Sequence, residues 1–126
     1  MNQDSRADVA VIDDDHTVLE AIMDLLASAG LTARRFSSAR EFLESDALDS
    51  IACLVSDIRM PGMDGWELQS IVAARRPALP VILITAHATD KQPAAHSTVA
   101  PVVFSKPFDA QALLSAITSA LRKPTA

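Results

Sequence analysis

The chain has no tyrosine, one tryptophan, one cysteine and three glycines in 126 residues. A single cysteine excludes a disulfide within the chain. Cys53 lies in the apolar run IACLV with no basic neighbour in the local sequence, which reads as a buried, inert thiol rather than a nucleophile. No apolar run approaches the roughly 18 residues a bilayer span needs, and the opening MNQDSRAD has no signal-peptide apolar stretch. A soluble, cytoplasmic protein is the expectation. The net charge is −5, and the 11 basic residues are scattered apart from Arg34-Arg35 and Arg75-Arg76. Direct binding to nucleic acid by this chain is therefore not expected, because neutralising phosphates takes a concentrated basic surface. Internal repeats, low-complexity tracts and a linker to a second domain are also missing, so one domain over 1–126, with a core of about 8–122 and no effector domain, is predicted.

What is present is rhythm. Hydrophobic residues make up 49% and charged residues 21%, a globular balance. Short apolar runs alternate with helical patterns, the signature of a parallel sheet covered by helices on both faces. Strands are predicted at 9–12 (VAVI), 31–36 (LTARRF, with one polar face and so near an edge), 51–56 (IACLVS), 81–85 (VILIT) and 101–105 (PVVFS). Val18, Leu19, Ile22, Leu25, Leu26 and Ala29 mark the first helix, with Gly30 as its stop. Ser38 and Glu41 have capping-box spacing for a short second helix, and Asp64 and Glu67 could cap a third. Asp109 opens a last helix. The stretch ATDKQPAAHSTVA, with Pro93 and little apolar periodicity, reads at most as a short, poorly anchored helix.

Polar residues fall where such a sheet binds ligands, beyond the carboxyl ends of its strands. Asp13, Asp14 and Asp15 follow the first strand, Asp57 the third, Thr85 closes the fourth and Lys106 follows the fifth. Each has a plain structural reading when taken singly: a turn or cap for an aspartate, a solvated lysine, a strand-end threonine. Taken together they describe a site. Asp13 or Asp14 beside Asp57 brings carboxylates close enough to repel and to raise the pKa of one of them unless a cation intervenes. Few carboxylates plus water suit Mg²⁺, and a lysine and a hydroxyl suit phosphoryl oxygens. Phosphoryl transfer needs chiefly positioning and charge neutralisation. In that chemistry Asp57 is the nucleophile, held on a strand while Pro61, Gly62 and Gly65 let the chain bend away.

The acidic cluster in VIDDDH, the stretch VSDIRMPGMDGWEL, the threonine in LITAH and the lysine in FSKPF resemble, in order and spacing, the receiver (CheY-like) domain of bacterial two-component response regulators. The likeness covers nearly the whole chain. It implies a flavodoxin-like (βα)5 fold, a doubly wound five-stranded parallel sheet in the order 2-1-3-4-5, here with a short or irregular fourth helix. It also implies phosphorylation of Asp57 by a histidine kinase or histidine phosphotransfer protein, and a Mg²⁺ requirement that Mn²⁺ could meet. Carried over by position, Asp14 and Asp57 bind the metal, Asp13 supports it and the backbone carbonyl of Arg59 completes the protein ligands. Thr85 and Lys106 contact the phosphoryl group, and Lys106–Pro107 is expected to be cis. The implied role is a signalling switch, limited to phosphotransfer onto itself and slow autodephosphorylation, that signals through a protein-interaction surface.

Two features depart from the family pattern. The position three before the lysine, often aromatic and part of a rotamer relay, is Val103, with Phe104 beside it on the opposite strand face. The second departure is the ATDKQPAAHSTVA segment. Arg59 and His87, two residues beyond Asp57 and Thr85, are candidates for tuning hydrolysis of the phosphoaspartate. His87, His16 and His96 share no metal-ligand spacing, and Trp66 reads as helix packing. An aspartate-nucleophile phosphatase would carry a second acid where Arg59 stands. A phosphorylation-independent pseudo-receiver that only binds protein is the alternative function.

Overall fold

The computed structural model describes residues 7–86 and 102–122. In chain order these form β1 (Val9–Ile12), α1 (His16–Ser28), β2 (Ala33–Phe36), α2 (Ala39–Glu44), a 3₁₀ turn (Ala47–Asp49), β3 (Cys53–Asp57), α3 (Gly65–Arg75), β4 (Val81–Thr85), β5 (Val102–Ser105) and α4 (Ala110–Arg122). All the strand pairings are parallel, in the order β2-β1-β3-β4-β5, which is the flavodoxin-like arrangement. Residues 88–100, expected to hold the irregular fourth helix, lie outside the described residues, as do His87, His96 and Pro101.

Strand alternation builds two cores from one sheet. Ala10, Ile12, Leu54 and Leu83 point to one face, where Phe42 of α2 and Leu68 and Val72 of α3 cover them. Val9, Val11, Cys53, Val55, Ile82 and Ile84 point to the other, under Leu19, Ile22 and Leu26 of α1 and Leu113 and Ile117 of α4. The period of two in each strand is what divides the residues between layers. β1, β3 and β4 are buried at every position because both their faces are covered. Cys53 belongs to this interior, and burial pushes its thiol up to about 12. No helix among the described residues is long and apolar enough to cross a membrane.

The boundaries differ from expectation for local reasons. β3 was expected at 51–56 and runs one residue further, because the Ile58 N–H still pairs with the Ile84 carbonyl at 2.8 Å. It also starts later. The Ala52 and Cys53 N–H groups both donate to the Asp8 carbonyl, at 2.8 and 3.2 Å, and the regular ladder begins with the Val9–Cys53 pair. The 3₁₀ turn was not anticipated; it drops Ala47 and Leu48 into the core beneath α2. At α2 only half of the expected capping box forms. The Glu41 N–H donates to Ser38 Oγ, but the Glu41 carboxylate accepts from the Ser37 N–H at 2.9 Å instead of from Ser38. At α3 the box is complete between Asp64 and Glu67.

Candidate functional site

The rim at the carboxyl ends of β1, β3, β4 and β5 collects the expected residues. β1 ends at Ile12, so Asp13 is the first residue past the sheet; its N–H still donates to the Phe36 carbonyl at 3.2 Å, which holds it level with the strand ends. Its carboxylate is buried and divided between two donors. Oδ1 accepts from the Asp15 N–H at 2.9 Å, and Oδ2 accepts from Lys106 Nζ at 3.3 Å. Asp15 itself caps α1, accepting from the Thr17 N–H at 2.9 Å. Of the three consecutive aspartates, Asp15 is thus occupied by the helix, Asp13 faces inward and Asp14 is exposed.

Asp57 is the last residue of β3 and only 6% exposed, yet its carboxylate shares the same lysine, 3.4 Å from Lys106 Nζ. The Arg59 N–H also donates to it. Lys106 arrives from a distant part of the chain: its N–H pairs with the Thr85 carbonyl at 2.7 Å, and the Lys106–Pro107 bond is cis. Thr85 is buried one residue beyond the Asp57–Ile84 register pair. Asp13, Asp57, Thr85 and Lys106 therefore converge on one rim from four strands. Arg59 lies exposed in the following loop, where Gly62, with φ of 79°, makes the turn that a side chain would strain.

Electrostatics at this rim are unbalanced in a way that invites a cation. Burial, reinforced by the charge of Asp13, pushes the Asp57 carboxyl up to about 6. Burial also raises Asp13, against the pull of the Asp15 N–H and Lys106. For Lys106, burial alone favours the neutral amine, but the two facing carboxylates outweigh it and hold the ammonium above its usual range. One carboxylate oxygen from each of Asp13, Asp14 and Asp57 lies within 4.8 Å of the others. A hard divalent ion with a few oxygen ligands and an open, hydrated side fits such a set, and Lys106 alone does not neutralise it.

Two further residues matter here that sequence reasoning passed over. Ser56, read as part of an apolar strand, is fully buried and donates its hydroxyl to the Asp57 carbonyl at 2.9 Å. The signal was present, as a lone polar residue inside that run directly before the aspartate. Arg76, noted in the sequence only as half of a basic pair, places its guanidinium on the Leu48 and Ile51 carbonyls at 2.8 and 2.5 Å and so ties the end of α3 to the segment leading into β3. Trp66 packs partly buried against the α2/α3 core, as helix packing requires. Val103 is 43% exposed, while Phe104 packs on the α1/α4 side of the sheet.

Comparison with known proteins agrees with this geometry. The profile of the response regulator receiver domain matches residues 9–118. The chain is 37% identical over 121 residues to the response regulator protein TmoT of Ectopseudomonas mendocina, covering 94% of this chain and 54% of that protein. It is 39% identical over 117 residues to the DNA-binding transcriptional regulator NtrC of Escherichia coli K12, covering 92% of this chain and 25% of that one. The chain thus spans about half or less of these relatives. Among solved structures, the response regulator StyR superposes with a TM-score of 0.81 at 40% identity, over 90% of this chain and 58% of that one. The receiver domain of NtrC gives 0.74 at 34% identity, over 93% and 95%. With its sheet order, its acidic rim and this match along nearly its whole length, the chain belongs to the response regulator receiver domain family.

Proposed function

We propose that this receiver domain accepts a phosphoryl group on Asp57 from a histidine kinase or histidine phosphotransfer protein, in a Mg²⁺-dependent reaction. The observation that supports it best is the setting of Asp57: a buried carboxylate at a strand end, with Lys106 Nζ 3.4 Å away and carboxylate oxygens of Asp13 and Asp14 within 4.8 Å. With its carboxyl at about 6, Asp57 is mostly ionised at neutral pH, as a nucleophile must be. One Asp57 oxygen attacks phosphorus, and the bond from phosphorus to the donor nitrogen breaks as the donor imidazole leaves. Lys106 stays beside the site to meet the phosphoryl oxygens, and Thr85, at the end of β4, offers a hydroxyl to them. Asp13, Asp14, Asp57 and the Arg59 backbone carbonyl are the residues that would hold Mg²⁺, or Mn²⁺ in its place, and the ion supplies charge neutralisation for carboxylate and phosphoryl oxygens together.

The chain acts as a switch rather than as an enzyme on small substrates, and it passes the signal to a protein partner. Arg59 and His87 are proposed to tune the lifetime of the phosphoaspartate by limiting the approach of water; an unchanged lifetime in Arg59→Ala and His87→Ala would remove that role. The main test is intact mass after incubation with acetyl phosphate and Mg²⁺, with Asp57→Ala and a chelator as controls. A single phosphoryl adduct that needs both Asp57 and the metal is expected. No adduct on folded protein, with a known receiver labelled in parallel, would turn the reading to a pseudo-receiver that binds partners without phosphate.

A further inference from the structure

The two peptide groups that follow Asp57 are held from three directions. The Ser56 hydroxyl, with no exposed surface, donates to the Asp57 carbonyl at 2.9 Å. The Ile58 N–H donates to the Ile84 carbonyl of β4 at 2.8 Å, and the Ile58 carbonyl accepts from the Gly65 N–H of α3 at 2.7 Å. On the α3 side there is no spare room. A Cβ at Gly65 would stand 2.6 Å from the Asp57 carbonyl oxygen, 2.8 Å from Ile58 Cα and 3.3 Å from the Asp57 carbonyl carbon. Those neighbours are backbone atoms and cannot swing aside as a flexible side chain would. The left-handed glycines among the described residues are Gly30 and Gly62, so Gly65 is required for space and not for its backbone angle.

We propose that Ser56 and Gly65 are positioning residues for the phosphoryl-accepting site, forming a seat that fixes the Asp57–Ile58 peptide. The proposal rests on the phosphoacceptor reading of Asp57. The seat matters beyond packing because the same stretch of backbone aims several groups. The Asp57 carboxylate takes a hydrogen bond from the Arg59 N–H, and the Arg59 carbonyl belongs to the proposed metal ligands. Turning the peptide between Asp57 and Ile58 moves the nucleophile and that carbonyl together. Ser56 holds the carbonyl from within the strand, and the bare Gly65 lets α3 close down on its other side. Small displacements of a reacting group cost large factors in rate, on the order of 100-fold for about 1 Å.

The test compares the full chain with Ser56→Thr, Ser56→Val and Gly65→Ala. Thr and Val have nearly the same shape, so their difference isolates the hydroxyl from the added methyl. Phosphorylation rate by acetyl phosphate is followed by intact mass, Mg²⁺ affinity by calorimetry and folded fraction by circular dichroism. Ser56→Thr is expected to stay within about threefold of the parent in both rate and affinity, and Ser56→Val to be about tenfold slower with weaker Mg²⁺ binding. Gly65→Ala is expected to lose at least about tenfold in the rate of its folded fraction. A purely structural role would lower stability in these variants and leave the rate and Mg²⁺ affinity of folded protein unchanged. Equal rates and affinities for Ser56→Thr and Ser56→Val overturn the proposal, whether or not Gly65→Ala folds. A parent chain that binds Mg²⁺ but takes no phosphoryl group sinks the phosphoacceptor reading instead. The affinity difference between Thr and Val then decides the seat by itself. A parent that does neither overturns both.

Discussion

β3 and β5 carry neighbouring parts of one site and are built in opposite ways. Every residue of β3 is buried, its end is pinned to β4 and α3, and a complete capping box starts the helix that follows. β5 lies at the sheet edge with Val102 49% and Val103 43% exposed, and only Phe104 packs inward. Yet β5 delivers Lys106 to the carboxylate that β3 holds. The proposed nucleophile thus sits on a fully buried strand and its lysine partner follows a lightly packed one. Local opening costs least where few apolar contacts are lost, so motion at the site should enter from the β5 side.

The largest expected effect contrasts the two strands directly. Leu54→Ala in β3 removes a fully buried side chain and should cost about 2–5 kcal/mol, whereas Val103→Ala in β5 should cost less than about 1 kcal/mol. Urea unfolding of both variants measures this, and similar losses would break the comparison.

A smaller effect concerns the charge that β3 buries. Asp57 has its pKa raised on folding, from an ordinary 3.8 to about 6, so the folded state holds its proton more tightly than the unfolded chain does. Its favourable contribution is complete below about pH 4 and is lost as pH rises through about 6. In metal-free protein, Asp57→Asn should therefore be more stable than the parent by about 3 kcal/mol at pH 7.5, with the gap closing toward pH 4. Thermal unfolding across that range checks the sign; a gap that widens on acidification would be inconsistent with a raised Asp57. The smallest effect tests the cap beside the site. Asp64→Ala leaves the Glu67 N–H without its acceptor and should cost about 1 kcal/mol. Hydrogen exchange should show this loosening at the start of α3 before it reaches β3.

The fold was legible because its signals are local. VAVI and VILI are unbroken apolar runs of the kind a doubly covered strand accommodates, and both lie in strands at the expected residues. Asp64 and Glu67 stand at box spacing and form the box; Ser38 and Glu41 share that spacing, but Ser37 competes for the Glu41 carboxylate. Spacing alone cannot decide between two adjacent donors. The start of β3 was missed for a related reason: Ile51 to Val55 is apolar without a break, and only the approach of the Asp8 carbonyl shows where pairing begins.

The sequence by itself determined the alternation of strands and helices, and with it the meeting of Asp13, Asp57, Thr85 and Lys106 at one end of the sheet. In a parallel sheet all strand ends of one polarity share an edge, so the residue after each strand is placed by topology alone. Tertiary structure decided how those groups are used. It turned Asp13 inward and left Asp14 exposed, brought Lys106 to a carboxylate 93 residues away, and set Gly65 against the backbone of Asp57. Burial and close approach depend on what packs from distant parts of the chain, and no local pattern encodes a distance between segments that meet only when the layers close.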